Sequence, residues 1–102
     1  MPTALELKAA RNDALRKSIP FAAPPNKLVL TRGVASLPKQ VVAEILQKVR
    51  DFDSFDQDCD PYLERDFGSF DHQGLTIFWK IDNYNGHDGL ELVMTILLAE
   101  EY

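Results

Sequence analysis

Apolar and polar residues alternate most strictly between Leu75 and Tyr84 (LTIFWKIDNY), where Leu75, Ile77, Trp79 and Ile81 fall on one side and Thr76, Phe78, Lys80, Asp82 and Tyr84 on the other. A period of two places successive side chains on opposite faces of a strand. Asp66–Asp71 (DFGSFD) and the turn His72-Gln73-Gly74 precede it, so the two runs predict a hairpin. Asn85-Gly86 follows, and because both central positions of a type I′ turn need positive φ, this dipeptide predicts a second tight turn. In Leu90–Glu101 (LELVMTILLAEE), Leu90, Leu92, Met94, Ile96 and Leu98 alternate as a strand, while Leu90, Val93, Leu97 and Glu101 also fit a helix. The preceding turn signal and the β-branched Val93, Thr95 and Ile96 favour a strand.

The first half has a longer period. Residues 3–18 (TALELKAARNDALRKS) are good helix formers, with Leu7, Ala10, Ala14 and Leu15 at three- to four-residue spacing. Pro20, Pro24 and Pro25 enforce an extended connector, and Lys27–Thr31 (KLVLT) reads as a short strand. Ser36 is a candidate cap for a second helix, with Pro38 in its first turn, an apolar stripe of Val42, Ile45, Val49 and Phe52, and Lys48 and Arg50 at its negative end. From Asp53 to Leu63 the Asp spacing and Pro61 predict an irregular loop. The expected architecture is α+β, in the order α-β-α-β-β-β, with two helices packed on one face of a small antiparallel sheet.

Composition sets the scale. A chain of 102 residues, 45% hydrophobic, is expected to form a single domain over residues 1–102. The one cysteine, Cys59, has no intramolecular partner, which points to a reducing compartment, and the cytoplasm is the expected location. The longest apolar run, Ile96–Ala99, is too short to span a membrane, and no secretory h-region is present near the N-terminus.

Charge changes the picture more. Residues 1–50 carry nine Lys/Arg against three Asp/Glu, residues 51–102 two against thirteen, so halves of +6 and −11 make up the net −5. Asp51, Asp53, Asp56, Asp58, Asp60, Glu64, Asp66 and Asp71 share one stretch with the single cation Arg65. Such a split points to an electrostatic partner.

Several local blocks carry a further signal: ARNDALR at 10–16, LTRGVASL at 30–37, DFDSF at 51–55, DPYLERDFG at 60–68, IFWKIDNY at 77–84 and the terminal LAEEY. In this order the chain resembles domain-of-unknown-function family 3768 over roughly residues 6–102. The resemblance implies a short bacterial protein of the kind carried on plasmids and other mobile elements, and implies no activity. The family pattern commonly has two histidines in its acidic block where this chain has Tyr62 and Arg65, so an imidazole-based site there would be lost, with Asp60, Glu64 and Asp66 retained.

The remaining chemistry is thin. Asp56, Asp58 and Asp60 match the first three ligand positions of an EF-hand loop, but Pro61 stands where glycine is needed and Phe67 where the bidentate Glu belongs. These three are the weak metal candidates. Glu64, Asp66, Lys80 and Asp82 form a second constellation if the hairpin sets a carboxylate opposite Lys80, although Phe78 stands where a PD-(D/E)xK nuclease needs an acid. DFG at 66–68 lacks every other kinase element. His72 and His87 are expected in exposed turns, and carboxylates around Cys59 disfavour its thiolate. Ser36, Ser54 and Ser69 have no nucleophile context, and Trp79 reads as core.

The leading expectation is a small acidic, non-enzymatic binding protein, with no cofactor and no catalytic residues. It would present Asp51, Asp53, Asp56, Asp58, Asp60, Glu64 and Asp66 to a basic protein surface, in its sharpest form as a nucleic-acid mimic inhibiting a defence or DNA-handling complex. Direct nucleic-acid or membrane binding is not expected of it. The alternatives are self-association as a homodimer, and a carboxylate-based divalent-metal enzyme around Asp60, Glu64 and Asp66.

Overall fold

The alternation in Leu75–Tyr84 does build an inner strand of the sheet. A computed structural model describes residues 3–22, 24–53, 65–86 and 89–102. The elements run α1 (Ala4–Ser18), β1 (Lys27–Leu30), α2 (Arg32–Ala35), α3 (Lys39–Arg50), β2 (Phe67–His72), β3 (Leu75–Gly86), β4 (Gly89–Leu98) and a closing 3₁₀ turn, Ala99–Glu101. The fold is α+β, with one four-stranded sheet in the order β1-β4-β3-β2.

β3 pairs antiparallel with β2 and β4, Trp79 lying between Gly68 and Ile96. β1 joins the far edge of β4 in parallel, Lys27 opposite Val93 and Leu30 opposite Ile96, so the sheet is mixed rather than wholly antiparallel. No hairpin joins β1 to β4; two helices and a hairpin intervene, and such a crossover allows parallel pairing. The last segment is a strand, as its β-branched residues favour.

The turn between β2 and β3 is the two residues Gln73 and Gly74, with φ of 51° and 82°. Both positive values match a type I′ turn. Asn85-Gly86, in contrast, is not a turn: Asn85 pairs with Leu90 and Gly86 with Gly89, so the ladder continues past the dipeptide and the connection falls on residues 87–88, outside the described residues.

Helix α1 starts at Thr3, whose hydroxyl accepts the Glu6 N–H at 3.1 Å, and stops two residues before Pro20. Of the apolar stripe expected, only Leu15 is buried. Leu7, Ala10 and Ala14 are exposed, whereas Asn12, Leu15 and Arg16, with Ile19 just beyond the helix, are buried. Ser36 closes the short α2, donating its N–H to Arg32 O at 3.0 Å while the Leu37 N–H donates to Val34 O at 3.1 Å, and α3 begins only after Pro38, whose φ of −54° and ψ of 145° lie outside the helix. Ile45 and Val49 of α3 are fully buried, and Phe52 folds onto the core past the helix end. The core is one layer: Leu15, Ile19, Val34, Ile45 and Val49 from the helical side against Ile77, Trp79, Ile81, Leu92, Met94 and Ile96 from the sheet.

Glu101 ties the chain end back to α2. Its carboxylate accepts the Thr31 hydroxyl at 2.6 Å, the Leu98 N–H at 2.9 Å and the Gly33 N–H at 3.0 Å. These bonds favour the ionised form, and its pKa lies below the ordinary 4.5, chiefly through Thr31 and then Leu98, with desolvation opposing them and Gly33 adding to them. A depressed folded pKa contributes stability that is present above 4.5 and is lost as pH falls through the lowered value. In an NMR titration the Glu101 side-chain carboxyl is expected to report a midpoint below 4.5, and Glu101→Gln to remove the acid dependence of Gly33 and Leu98 amide protection. An ordinary midpoint with unchanged protection would show that the latch does not hold in solution.

Candidate functional site

A cluster of arginines joins the ends of α1 and α3, beside the described ends of the acidic stretch. Arg16, 2% exposed, donates from Nη1 to Val49 O at 2.9 Å and Arg50 O at 2.7 Å. Those carbonyls belong to the last turn of α3, where helical partners run out. Arg16 Nη2 reaches Asp13 Oδ1 at 3.1 Å, and the guanidinium carbon lies 5.7 Å from the Trp79 ring centroid. Arg50 returns the contact to α1, donating to Ile19 O at 3.0 Å and to Gln47 Oε1 at 2.7 Å. Two helices whose C-terminal ends are both negative are thereby joined through cations.

The described residues on either side of 54–64 meet this corner. Phe52 meets Trp79 edge-on, with ring centroids 5.4 Å apart. On the C-terminal side, Arg65 binds Asp13 Oδ2 at 2.8 Å with a φ of 56°, and Asp66 O accepts the Ile81 N–H at 2.8 Å, starting the ladder of β2. Gly68 then passes directly beneath Trp79 and Phe52: a Cβ there would overlap Trp79 Nε1 and lie 2.7 Å from Phe52 Cζ. The Asp-Phe-Gly sequence thus has a packing explanation. Arg65, which stands where the resembled pattern has a histidine, serves as an anchor to α1.

Between the anchors opens a cleft of about 470 Å³, lined by Arg16, Lys17, Arg50, Arg65, Phe52 and the carboxylates Asp51 and Asp53. Asp51 accepts from Gln47 Nε2 at 2.6 Å. Asp71, at the other end of the acidic stretch, accepts the Thr76 hydroxyl at 3.0 Å, and its backbone carbonyl accepts Lys48 Nζ at 3.3 Å. Asp51, Asp53 and Asp66 therefore lie around one corner. Asp56, Asp58, Asp60 and Glu64, together with Cys59 and His87, fall outside the described residues.

Of the second constellation, Glu64 lies outside the described residues, and Lys80 meets a carboxylate only along its own strand among the described residues. Opposite Lys80 stand Phe67 and Thr95, and its ion pair, at 3.1 Å, is with Asp82 on its own strand. An acid at register would have been needed at position 67. His72 is also displaced from expectation, because the turn is one residue shorter than the reading assumed: His72 ends β2 on the core face, 7% exposed, with Nε2 3.2 Å from Glu44 Oε1. No group of three or more His, Cys, Asp or Glu suited to a metal occurs among the described residues. No helix among them is long and apolar enough to cross a membrane.

Arg16, Asn12, Asp13 and His72 were missed as site or core residues. A signal existed for the first two: Asn12 and Arg16 stand seven and three residues before the buried Ile19, on the face that Leu15 also occupies.

The model of one family, described as a protein of unknown function (DUF3768), matches residues 30–92, more than half of the chain. The match takes in LTRGVASL, DFDSF, DPYLERDFG and IFWKIDNY; ARNDALR and LAEEY lie outside it. No curated protein matches the chain, and no solved structure does.

Proposed function

This chain belongs to the DUF3768 family, a family of unknown function, and we propose that it is a non-enzymatic binding protein whose acidic stretch docks on a basic protein surface. The observation that carries this reading is the common anchorage of the stretch. Phe52 at its start and Gly68 at its end pack against the same Trp79, and Arg65 is tied to α1 through Asp13. The intervening sequence holds Asp53, Asp56, Asp58, Asp60 and Glu64 with no cation before Arg65. Fixing both ends beside each other lowers the entropy to be lost when such a segment docks. Its charge supplies steering and selects against acidic partners.

A protein that ordinarily binds nucleic acid is the fitting target, because its surface already matches closely spaced anions. In this reading the chain competes with nucleic acid and so inhibits a DNA-handling or defence complex. The mobile-element setting implied by the family resemblance supports that role, as does the excess of eleven negative charges in the second half.

The test is binding to a panel of basic DNA-binding proteins, with duplex DNA as competitor. Binding is expected to weaken at least roughly tenfold between about 50 and 300 mM salt. Duplex DNA should displace the chain, and the combined Asp56→Lys, Asp58→Lys and Asp60→Lys variant should lose binding while retaining its circular dichroism spectrum. Undiminished binding by that folded variant would overturn the reading.

A further inference from the structure

The sheet has a second face that the helices leave alone. Residues of α1, α2 and α3 join the core with Ile77, Trp79 and Ile81. On the other face Tyr102 lies over one end, edge-on to Phe78 at 5.5 Å and Phe67 at 6.4 Å, near the buried Leu97 that pairs with Phe78. The rest is a grid set by strand register. One row reads Lys27–Val93–Asp82 across β1, β4 and β3; the next reads Val29–Thr95–Lys80 and continues to Phe67 on β2. Its middle is β-branched, with Val29 41% exposed, and a charged residue lies on each side of Val93.

We infer that this face is where two copies of the chain meet, related by a twofold axis running along β4. The argument is charge complementarity under symmetry. An in-plane twofold along the middle strand carries β1 of each copy over β3 of the other. Val93 then meets its own equivalent, Lys27 of one copy stands opposite Asp82 of the other, twice, and Glu91, which also faces its equivalent along β4, is neutralised by the Lys27 that holds it at 3.2 Å within its own copy. Isologous contacts require such self-complementarity, and stacked sheets pack their mean strand directions within about 30°, close enough to keep a row aligned.

Charge also decides between occupants. Within each copy Lys27 pairs with Glu91 at 3.2 Å and Lys80 with Asp82 at 3.1 Å, so these four groups are neutral together on a chain of net charge −5. A nucleic acid needs a positive surface, and a basic protein is better served by the acidic stretch. A second copy, repelled by most of the molecule, is served by a neutral patch with β-branched side chains at its centre. The proposal does not depend on the role proposed for the acidic stretch.

Sedimentation equilibrium of the intact chain from about 1 µM to about 1 mM is expected to show mass rising from 11.6 kDa toward twice that value. Lys27→Glu, or Asp82→Lys, is expected to raise the dissociation constant at least about tenfold, because each places two like-charge contacts in the interface. The double variant Lys27→Glu with Asp82→Lys should recover the dimer. That recovery is diagnostic: within one copy the swap sets a carboxylate at position 27 beside Glu91 and an ammonium at position 82 beside Lys80, so only contacts between copies are restored. Val93→Asp should abolish association, and the Asp56/Asp58/Asp60 reversal should leave it intact. A wild-type monomer throughout the range, a dimer indifferent to both single variants, or a folded double variant that stays monomeric would overturn the proposal.

Discussion

Replacing Arg16 with methionine is expected to cost about 3–5 kcal/mol of stability, the range seen when one partner of a buried charged network is removed. Methionine keeps an unbranched stem against Trp79 and deletes only the guanidinium, so the loss reports the polar contacts rather than packing. Three groups are affected at once: the Arg50 carbonyl and Oδ1 of Asp13 lose the donor Arg16 gives them, and Val49 O keeps only the longer bond from the Phe52 N–H at 3.3 Å. Each buried acceptor left without a partner costs about 1–3 kcal/mol, more if charged. Domains of this size have only about 5–15 kcal/mol to lose, and a shift of that kind lowers Tm by more than about 10 °C. Arg16→Lys should recover little, because one ammonium on a shorter stem cannot reproduce a planar fork that serves two carbonyls and a carboxylate. Urea denaturation and thermal unfolding check both variants. A loss below about 1 kcal/mol for methionine would mean that water replaces the guanidinium, and that the helix ends are not joined through it.

The reason Arg16 escaped a reading from sequence is instructive. Hydrophobic periodicity assigns a helix face by its apolar members, and along α1 that favoured Leu7, Ala10, Ala14 and Leu15, of which only Leu15 is buried. The buried face instead combines Leu15 with Asn12 and Arg16, and the burial of Arg16 is tolerated because its guanidinium meets carbonyls from a distant part of the chain. Such partners have no local signature. The same limit explains β1: KLVL reads correctly as a strand, but nothing within it specifies β4 as its neighbour or a parallel direction. Where the determinants are local, the reading succeeds. Period-two alternation locates β3, the β-branched residues favour a strand for β4, and the acidic stretch is visible as charge. Asn85-Gly86 marks the boundary between the two cases, since a dipeptide's turn preference gives way when the pairing of two long strands runs two residues further. For His72 an error of one residue in the turn moved a side chain from solvent to core, as strand alternation requires.

Gly68 offers the sharpest test of how the fold holds the acidic stretch. Gly68→Val is expected to destabilise the protein by about 3 kcal/mol, at the upper end of the range for overpacking a filled core. Even the first added carbon would overlap the Trp79 indole and come within 2.7 Å of Phe52 Cζ. Trp79 is fully buried and carries Arg16 over its ring, so the indole has little room to withdraw. Phe52, only partly buried, is the side chain that gives way. Gly68→Ala should therefore cost less, about 1–2 kcal/mol, and spend that cost mainly on releasing Phe52. The consequence reaches function: in the alanine variant, proteolysis between residues 52 and 65 should accelerate before global unfolding does, because one anchor of the stretch is loosened while the sheet persists. If that acceleration comes with weaker binding to the basic partner under conditions where the variant remains folded, anchorage of the two ends contributes to affinity. If cleavage accelerates and binding is unchanged, charge alone suffices, and the shared packing of Phe52 and Gly68 on Trp79 serves the stability of the core.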